Sequence, residues 1–149
     1  MTTQSTYWIG VVPKEDADHA IVGSYTEVNH GKAGPLERMH AGDGFAFYSP
    51  RTQYPGGEVL QAFTAIGRVR NGIVYQAEVP APQRPFRLAV DYLPAAPAPI
   101  RPLLESLTFI KSKTHWGAAF RFGVIRVPAD DFARIAAAMG RDFASDFAR

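Results

Sequence analysis

The chain contains no cysteine. That excludes disulfides and thiolate-bound zinc and fits a reducing cytoplasm. Long apolar runs are also missing. No stretch approaches the roughly 20 residues that span a bilayer, and the opening MTTQST has neither the basic nor the apolar region of a signal peptide. The expectation is a cytoplasmic chain without membrane attachment. Neither sign of charge dominates: 16 Lys and Arg stand against 14 Asp and Glu, a formal net charge of +2. Such an excess permits a polyanionic partner without demanding one. Hydrophobic residues, in contrast, are plentiful. At 46% hydrophobic and 20% charged, the 149 residues can bury a core, and that length suits a single domain over residues 1–149.

Enzyme signatures are scarce too. The sequence has no G-x-S-x-G, H-E-x-x-H, P-loop or G-x-G-x-x-G motif. His19, His30, His40 and His115 share no ligand spacing, so no metal site is expected and no cofactor is called for. The acidic pairs Glu15-Asp16 and Asp130-Asp131 fall at expected helix starts, where the helix dipole favours negative charge.

What is present reads as strands with a few short helices. YWIGVV (Tyr7–Val12) is a buried strand ended by Pro13. KEDADHAIVG is a helix closed by Gly23. A polar loop runs from Ser24 to Gly34, and Leu36 and Met39 mark one helical stretch after Pro35. Strands follow at Phe45–Tyr48 and Leu60–Val69. Asn71-Gly72 reads as a type I′ turn into a half-exposed strand carrying Ile73, Tyr75, Ala77 and Val79. Leu88, Val90 and Tyr92 alternate in another strand, and Ile100, Leu103, Leu104 and Leu107 have helical spacing. FRFGVIRV is the last strand. A final helix carries Phe132, Ile135, Ala136 and Met139, with Asp130 as N-cap and Gly140 as C-cap. Strands and long helices do not alternate, so a small, mostly antiparallel barrel of about six strands fits better than a doubly wound sheet.

Two segments hold the polar chemistry. In Asn29-His30-Gly31-Lys32, Gly31 either supplies a left-handed turn among solvated residues or lets the backbone approach a ligand, with His30 and Lys32 offering hydrogen bonds and charge. In KSKTHWG, Trp116 lies beside two lysines and a histidine, the composition that stacks a base and holds its phosphate. Plugging a barrel end fits Trp116 equally well. Arg121 pairs with either a nucleic-acid phosphate or an internal carboxylate. Trp8, inside an apolar strand, reads as core.

Taken together, YWIGVV, HGKAGPLERM, GDGFAFYSP, LQAFTAIGRV, PLLESLTFI and WGAAFRFG resemble the EVE domain family in order and spacing, from Tyr7 to about Met139. That family belongs to the PUA-like group, with the YTH and ASCH domains and the thymocyte nuclear protein. The resemblance implies a PUA-like twisted antiparallel β-barrel with short helices packed around it. It also implies a nucleic-acid-binding module, without catalysis, that recognises a modified base in DNA or RNA. Asn29, His30 and Lys32 would line the barrel mouth, Tyr48 and Ser49 would reach it from below, and Trp116 would close it, with Arg121 nearby. The partner would be single-stranded nucleic acid or a strand with an extruded base. The family pattern often has an amide shortly before HGK; here the polar residue is Glu27, which accepts hydrogen bonds from amino groups and repels phosphate. The alternatives are a hydrolase of a modified nucleoside, with Lys32 and Tyr48 as acid/base groups, and a small-molecule or protein-interaction module on the same fold.

Overall fold

The computed structural model describes residues 4–80 and 82–147. Strands β1 (Tyr7–Val11), β2 (Tyr25–Thr26), β3 (Gly44–Arg51), β4 (Val59–Val69), β5 (Tyr75–Gln76), β6 (Phe86–Tyr92), β7 (Ala98–Pro99) and β8 (Val124–Val127) share one sheet. Its main path runs β2-β6-β4-β3-β1-β8, with β5 added to β6 and β7 to β4. The sheet curls into a half-barrel, and the end strands β2 and β8 do not pair with each other along this path. Helices α1 (Lys14–Gly23), α2 (Ala129–Ala138) and α3 (Phe143–Asp146) pack around it. Among the described residues no helix is long and apolar enough to cross a membrane.

The sheet is mixed rather than wholly antiparallel, because β1 and β3 run parallel. Parallel neighbours need a long crossover, and here it contains α1. Both faces of the sheet are covered, so alternation along a strand sorts side chains into two cores rather than core and solvent. Tyr7 and Ile9 point into one, against α2 and α3. Trp8 points into the other, with Phe45, Phe47 and the α1 residues Ala17 and Ala20. In β4 the alternation breaks at a bulge: Phe47 faces Ala65 while Tyr48 faces Phe63, so Thr64 is the extra residue. Trp8 is core, as expected, and its indole N–H donates to the buried Asp43 at 3.0 Å.

Several local expectations change. The left-handed residue after α1 is Ser24, at φ 57°, not Gly23. At Asn71-Gly72 there is no two-residue hairpin. The Asn71 side chain accepts from the Ile73 N–H at 3.0 Å, and β4 pairs instead with β6, Val69 facing Val90. The strand expected over Ile73–Val79 shrinks to Tyr75–Gln76, because Ile73 and Tyr75 find nothing to bury them and stay exposed. The helices expected at Leu36 and from Ile100 to Leu107 are single 3-10 turns, Leu36–Arg38 and Arg101–Leu103. The second carries Pro102 in its first turn, where the missing N–H is tolerated. Lys113 then binds the carbonyls of Leu104, Leu107 and Ile110 from outside. At α2 the N-cap is Pro128, not Asp130. Its C-terminus closes as a Schellman motif: Arg141 donates to Ala136 at 2.8 Å and Gly140 to Ala137 at 3.0 Å, with Gly140 at φ 83°. Phe132, Ile135 and Met139 are buried and dock this helix on the sheet.

Candidate functional site

A cleft of about 900 Å³ lies beyond the end of β1. One wall is α1, through Asp16 and His19. A second is β2 with the turn that follows, from Tyr25 to Gly31. A third is the segment Pro82–Pro85 with Arg87 of β6. The fourth is Phe120–Gly123, which leads into β8, and Phe47 lies in the floor.

The turn is built from three consecutive left-handed residues: Asn29 (φ 48°), His30 (φ 59°) and Gly31 (φ 81°). The Gly31 N–H closes it on the Val28 carbonyl at 3.0 Å. Asn and His tolerate this region better than most residues, yet each non-glycine there costs about 1–2 kcal/mol. Surrounding contacts hold the turn in place. The Asn29 side chain lies against the α-carbon of Gly123 across the cleft, where any Cβ would collide with Oδ1. Gly31 lies against Pro85: a Cβ there would sit 2.6 Å from the proline Cβ and 2.8 Å from its Cα. Gly31 therefore serves both the left-handed turn and a close approach, and the approach is to the facing wall.

On the opposite side, the Arg87 guanidinium lies 3.9 Å from the centre of the Tyr25 ring. Its Nε donates to Glu27 at 2.6 Å. The Tyr92 hydroxyl donates to the Tyr25 carbonyl at 2.9 Å and fixes the short β2 strand beneath. Burial, then the Glu27 and Asp16 charges, raise the Tyr25 phenol, with Arg87 opposing. The Asp16 carboxyl is pushed up, first by burial and then by the neighbouring Glu15 and Glu27, with His19 opposing. The cleft thus carries three arginines, Arg84, Arg87 and Arg121, and two carboxylates, Asp16 and Glu27. Arg121 and Arg84 are exposed and make no ion pair among the described residues.

Residues 6–138 match the family model of the EVE domain. The chain belongs to the EVE domain family. A UPF0310 protein of Mycolicibacterium vanbaalenii is 48% identical over 134 residues, covering 90% of this chain and 92% of that one. The UPF0310 protein YdcG of Bacillus subtilis is 38% identical over 136 residues, covering 91% and 93%. Among solved structures, protein Atu2648 of Agrobacterium tumefaciens superposes with a TM-score of 0.56 at 14% identity, covering 92% of this chain and 94% of that one. The YTH domain of Mmi1, solved as a complex with RNA, superposes with a TM-score of 0.60 at 12% identity, covering 95% and 80%. At these identities the likeness is one of fold.

Of the residues singled out in the sequence, the EVE-domain cleft brings Asn29, His30 and Arg121 together. Lys32 is exposed just past the lining. Tyr48 and Ser49 are buried. The Tyr48 ring stacks on Phe120 at 4.1 Å, so it supports the Phe120–Gly123 wall from behind. Burial pushes its phenol up to about 12, with Arg101 opposing, so it keeps its proton at neutral pH. The Ser49 hydroxyl is 2.8 Å from that of Thr64 at the bulge. Trp116 stands outside the cleft lining, half-buried against the α2-side core, with the Arg101 guanidinium 5.5 Å from its ring centre. Tyr48, Ser49 and Trp116 diverge because β3 buries both its faces and because the 3-10 turn Trp116–Phe120 sends Trp116 and Phe120 to different places. Sequence reasoning missed Tyr25, Arg87 and Phe122. Tyr25 and Arg87 meet only because β2 pairs with β6, Tyr25 facing Ala89. The only local signal was Arg87 preceding the alternating Leu88, Val90 and Tyr92.

Proposed function

We propose that this EVE domain binds nucleic acid and receives one unstacked base, bearing a modification, in the cleft. The observation that carries this reading is the arginine plane of Arg87, backed by the Tyr25 ring, beside two unpaired arginines at the cleft. Unstacked bases are held on such planes, and phosphates are held by such arginines. The fold supports it as well, since the Mmi1 YTH domain of the same architecture was solved with RNA. Asn29 and His30, fixed in the left-handed turn, face a base edge. Glu27, held by Arg87, accepts from an amino group, as carboxylates accept from the cytosine amine. Arg121, and Lys32 outside the lining, meet phosphate. Backbone strain at a cleft, here in Asn29 and His30, is a feature of ligand-binding turns.

Fluorescence anisotropy with short labelled oligonucleotides, bearing a panel of base modifications and titrated at two salt concentrations, tests the reading. Wild type should bind with affinity that falls as salt rises. Arg121→Ala should weaken modified and unmodified oligonucleotides alike and reduce the salt slope by about one. Salt-independent binding, or none, refutes it. Asp16 gives a second check. Its carboxylate faces the bound polyanion, so Asp16→Asn should tighten oligonucleotide binding by roughly two- to threefold at low salt. Lowering pH through its raised titration range should act in the same direction, because protonation removes the same charge. Weaker binding by Asp16→Asn would instead make Asp16 a ligand contact.

A further inference from the structure

Phe122 lines the cleft yet leaves 77% of its surface exposed. Among the described residues it makes no ring contact with another aromatic. The backbone beneath it is nevertheless pinned on both sides. Two residues earlier, Phe120 is buried and stacked on Tyr48 at 4.1 Å. On the other side, the Gly123 carbonyl accepts from the Val11 N–H at 2.8 Å, and Asn29 packs on the Gly123 α-carbon. An apolar ring is thus held out into water on a firm mount, beside the exposed Arg121.

An aromatic serving as a platform inside the cleft would be covered by its surroundings, as Phe47 and Phe120 are. Phe122 stands clear of them. A partner that meets an apolar ring and a free guanidinium side by side presents flat apolar surfaces next to anionic groups, which is the chemistry of a stacked nucleic acid strand. Resting on the base-binding reading above, we infer that Phe122 is an intercalating side chain that enters the base stack as a nucleotide swings into the cleft. Wedges of this kind fill or open base steps in other protein–DNA contacts. They offset the cost of removing a base from its stack, a cost that an already unpaired strand does not carry. Phe122 therefore acts on a duplex with one weakened pair and contributes least to a free single strand.

The test uses a short duplex with a central mismatch whose target base carries the modification bound best in the oligonucleotide panel, placed next to 2-aminopurine, whose fluorescence rises on unstacking, and the same 2-aminopurine strand alone. Wild type should bind the duplex and raise its fluorescence. Phe122→Ala should weaken duplex binding roughly tenfold, the size expected for one lost stacking contact, and abolish the fluorescence rise. Its single-strand affinity should fall far less, its melting temperature should match wild type, and Phe122→Trp should retain duplex binding. If Phe122→Ala weakens both ligands equally, or neither, the wedge is wrong while the base-binding cleft stands. If wild type binds neither ligand, the cleft reading itself falls and the wedge with it.

Discussion

Replacing Asp131 with alanine is expected to destabilise the protein by about 2 kcal/mol or more, because two backbone N–H groups lose their acceptor. The carboxylate is fully buried in the first turn of α2. It does not cap its own helix. Oδ1 accepts from the Thr108 N–H at 2.9 Å and from Arg134 at 3.0 Å, and Oδ2 accepts from the Thr108 hydroxyl at 2.8 Å and the Phe109 N–H at 2.9 Å. It therefore clamps the loop ahead of the 3-10 turn Trp116–Phe120 to the last long helix. Alanine would leave two backbone N–H groups without their acceptor, at about 1–3 kcal/mol each. Asp131→Asn keeps the shape but turns an amide N–H₂ toward groups that donate, so it should recover only part of the loss. Asp130 is the control: it is exposed, and its replacement by alanine should cost no more than about 0.5 kcal/mol, the usual bound for a surface change. Urea unfolding of the three variants measures this. Equal stability for Asp131→Ala and Asp130→Ala would show that the pair acts only through the helix dipole.

That pair shows where sequence reasoning stopped. Two acidic residues at a helix start carry the same local signal, and only the tertiary fold separates the exposed one from the buried clamp. The elements with their own punctuation were legible. The Lys14–Gly23 helix follows Pro13, and the Ala129–Ala138 helix ends at Gly140. Strands β3, β4 and β6 announced themselves by apolar residues packed densely or in alternation. The Asn71-Gly72 signal misled because a turn signal fixes only a turn. The partner of β4 is decided by burial, and β6 offers Val90 and Leu88 where the nearer segment offers the exposed Ile73 and Tyr75. The cleft divided in the same way. Gly31 was readable as a left-handed turn position, whereas the left-handed Asn29 and His30 before it were not. The Tyr25–Arg87–Glu27 cluster was not, because it is assembled by strand pairing between residues some sixty positions apart in the chain.

Gly31→Ala should combine a loss of stability with a loss of binding, and the two have separable causes. At φ 81° an alanine costs about 1–2 kcal/mol for the left-handed backbone alone. Its Cβ would also lie 2.6 Å from the Cβ of Pro85 and 2.8 Å from its Cα. Neither atom belongs to the free end of a flexible chain, so the wall from Pro82 to Pro85 has to move. Overpacking of this kind adds about 1–3 kcal/mol. The expected total destabilisation is roughly 2–5 kcal/mol. Moving that wall shifts Phe86 and Arg87 after it, and with them the guanidinium plane on Tyr25. Oligonucleotide affinity should therefore fall at least about tenfold, measured below the melting transition, since an altered stacking surface forfeits an interaction of about 1–3 kcal/mol. Pro85→Gly removes the nearer contact atom but not the proline Cα position, so in the Gly31→Ala background it should return part of the binding without repairing the backbone strain. The coupling between the two sites should then be non-additive, as expected for residues in contact. Gly34→Ala is the matched control, because a Cβ there would meet nothing within 4 Å. If Gly31→Ala melts and binds like Gly34→Ala, the turn accommodates a side chain by another route, and the close packing of Gly31 on Pro85 does not shape the cleft.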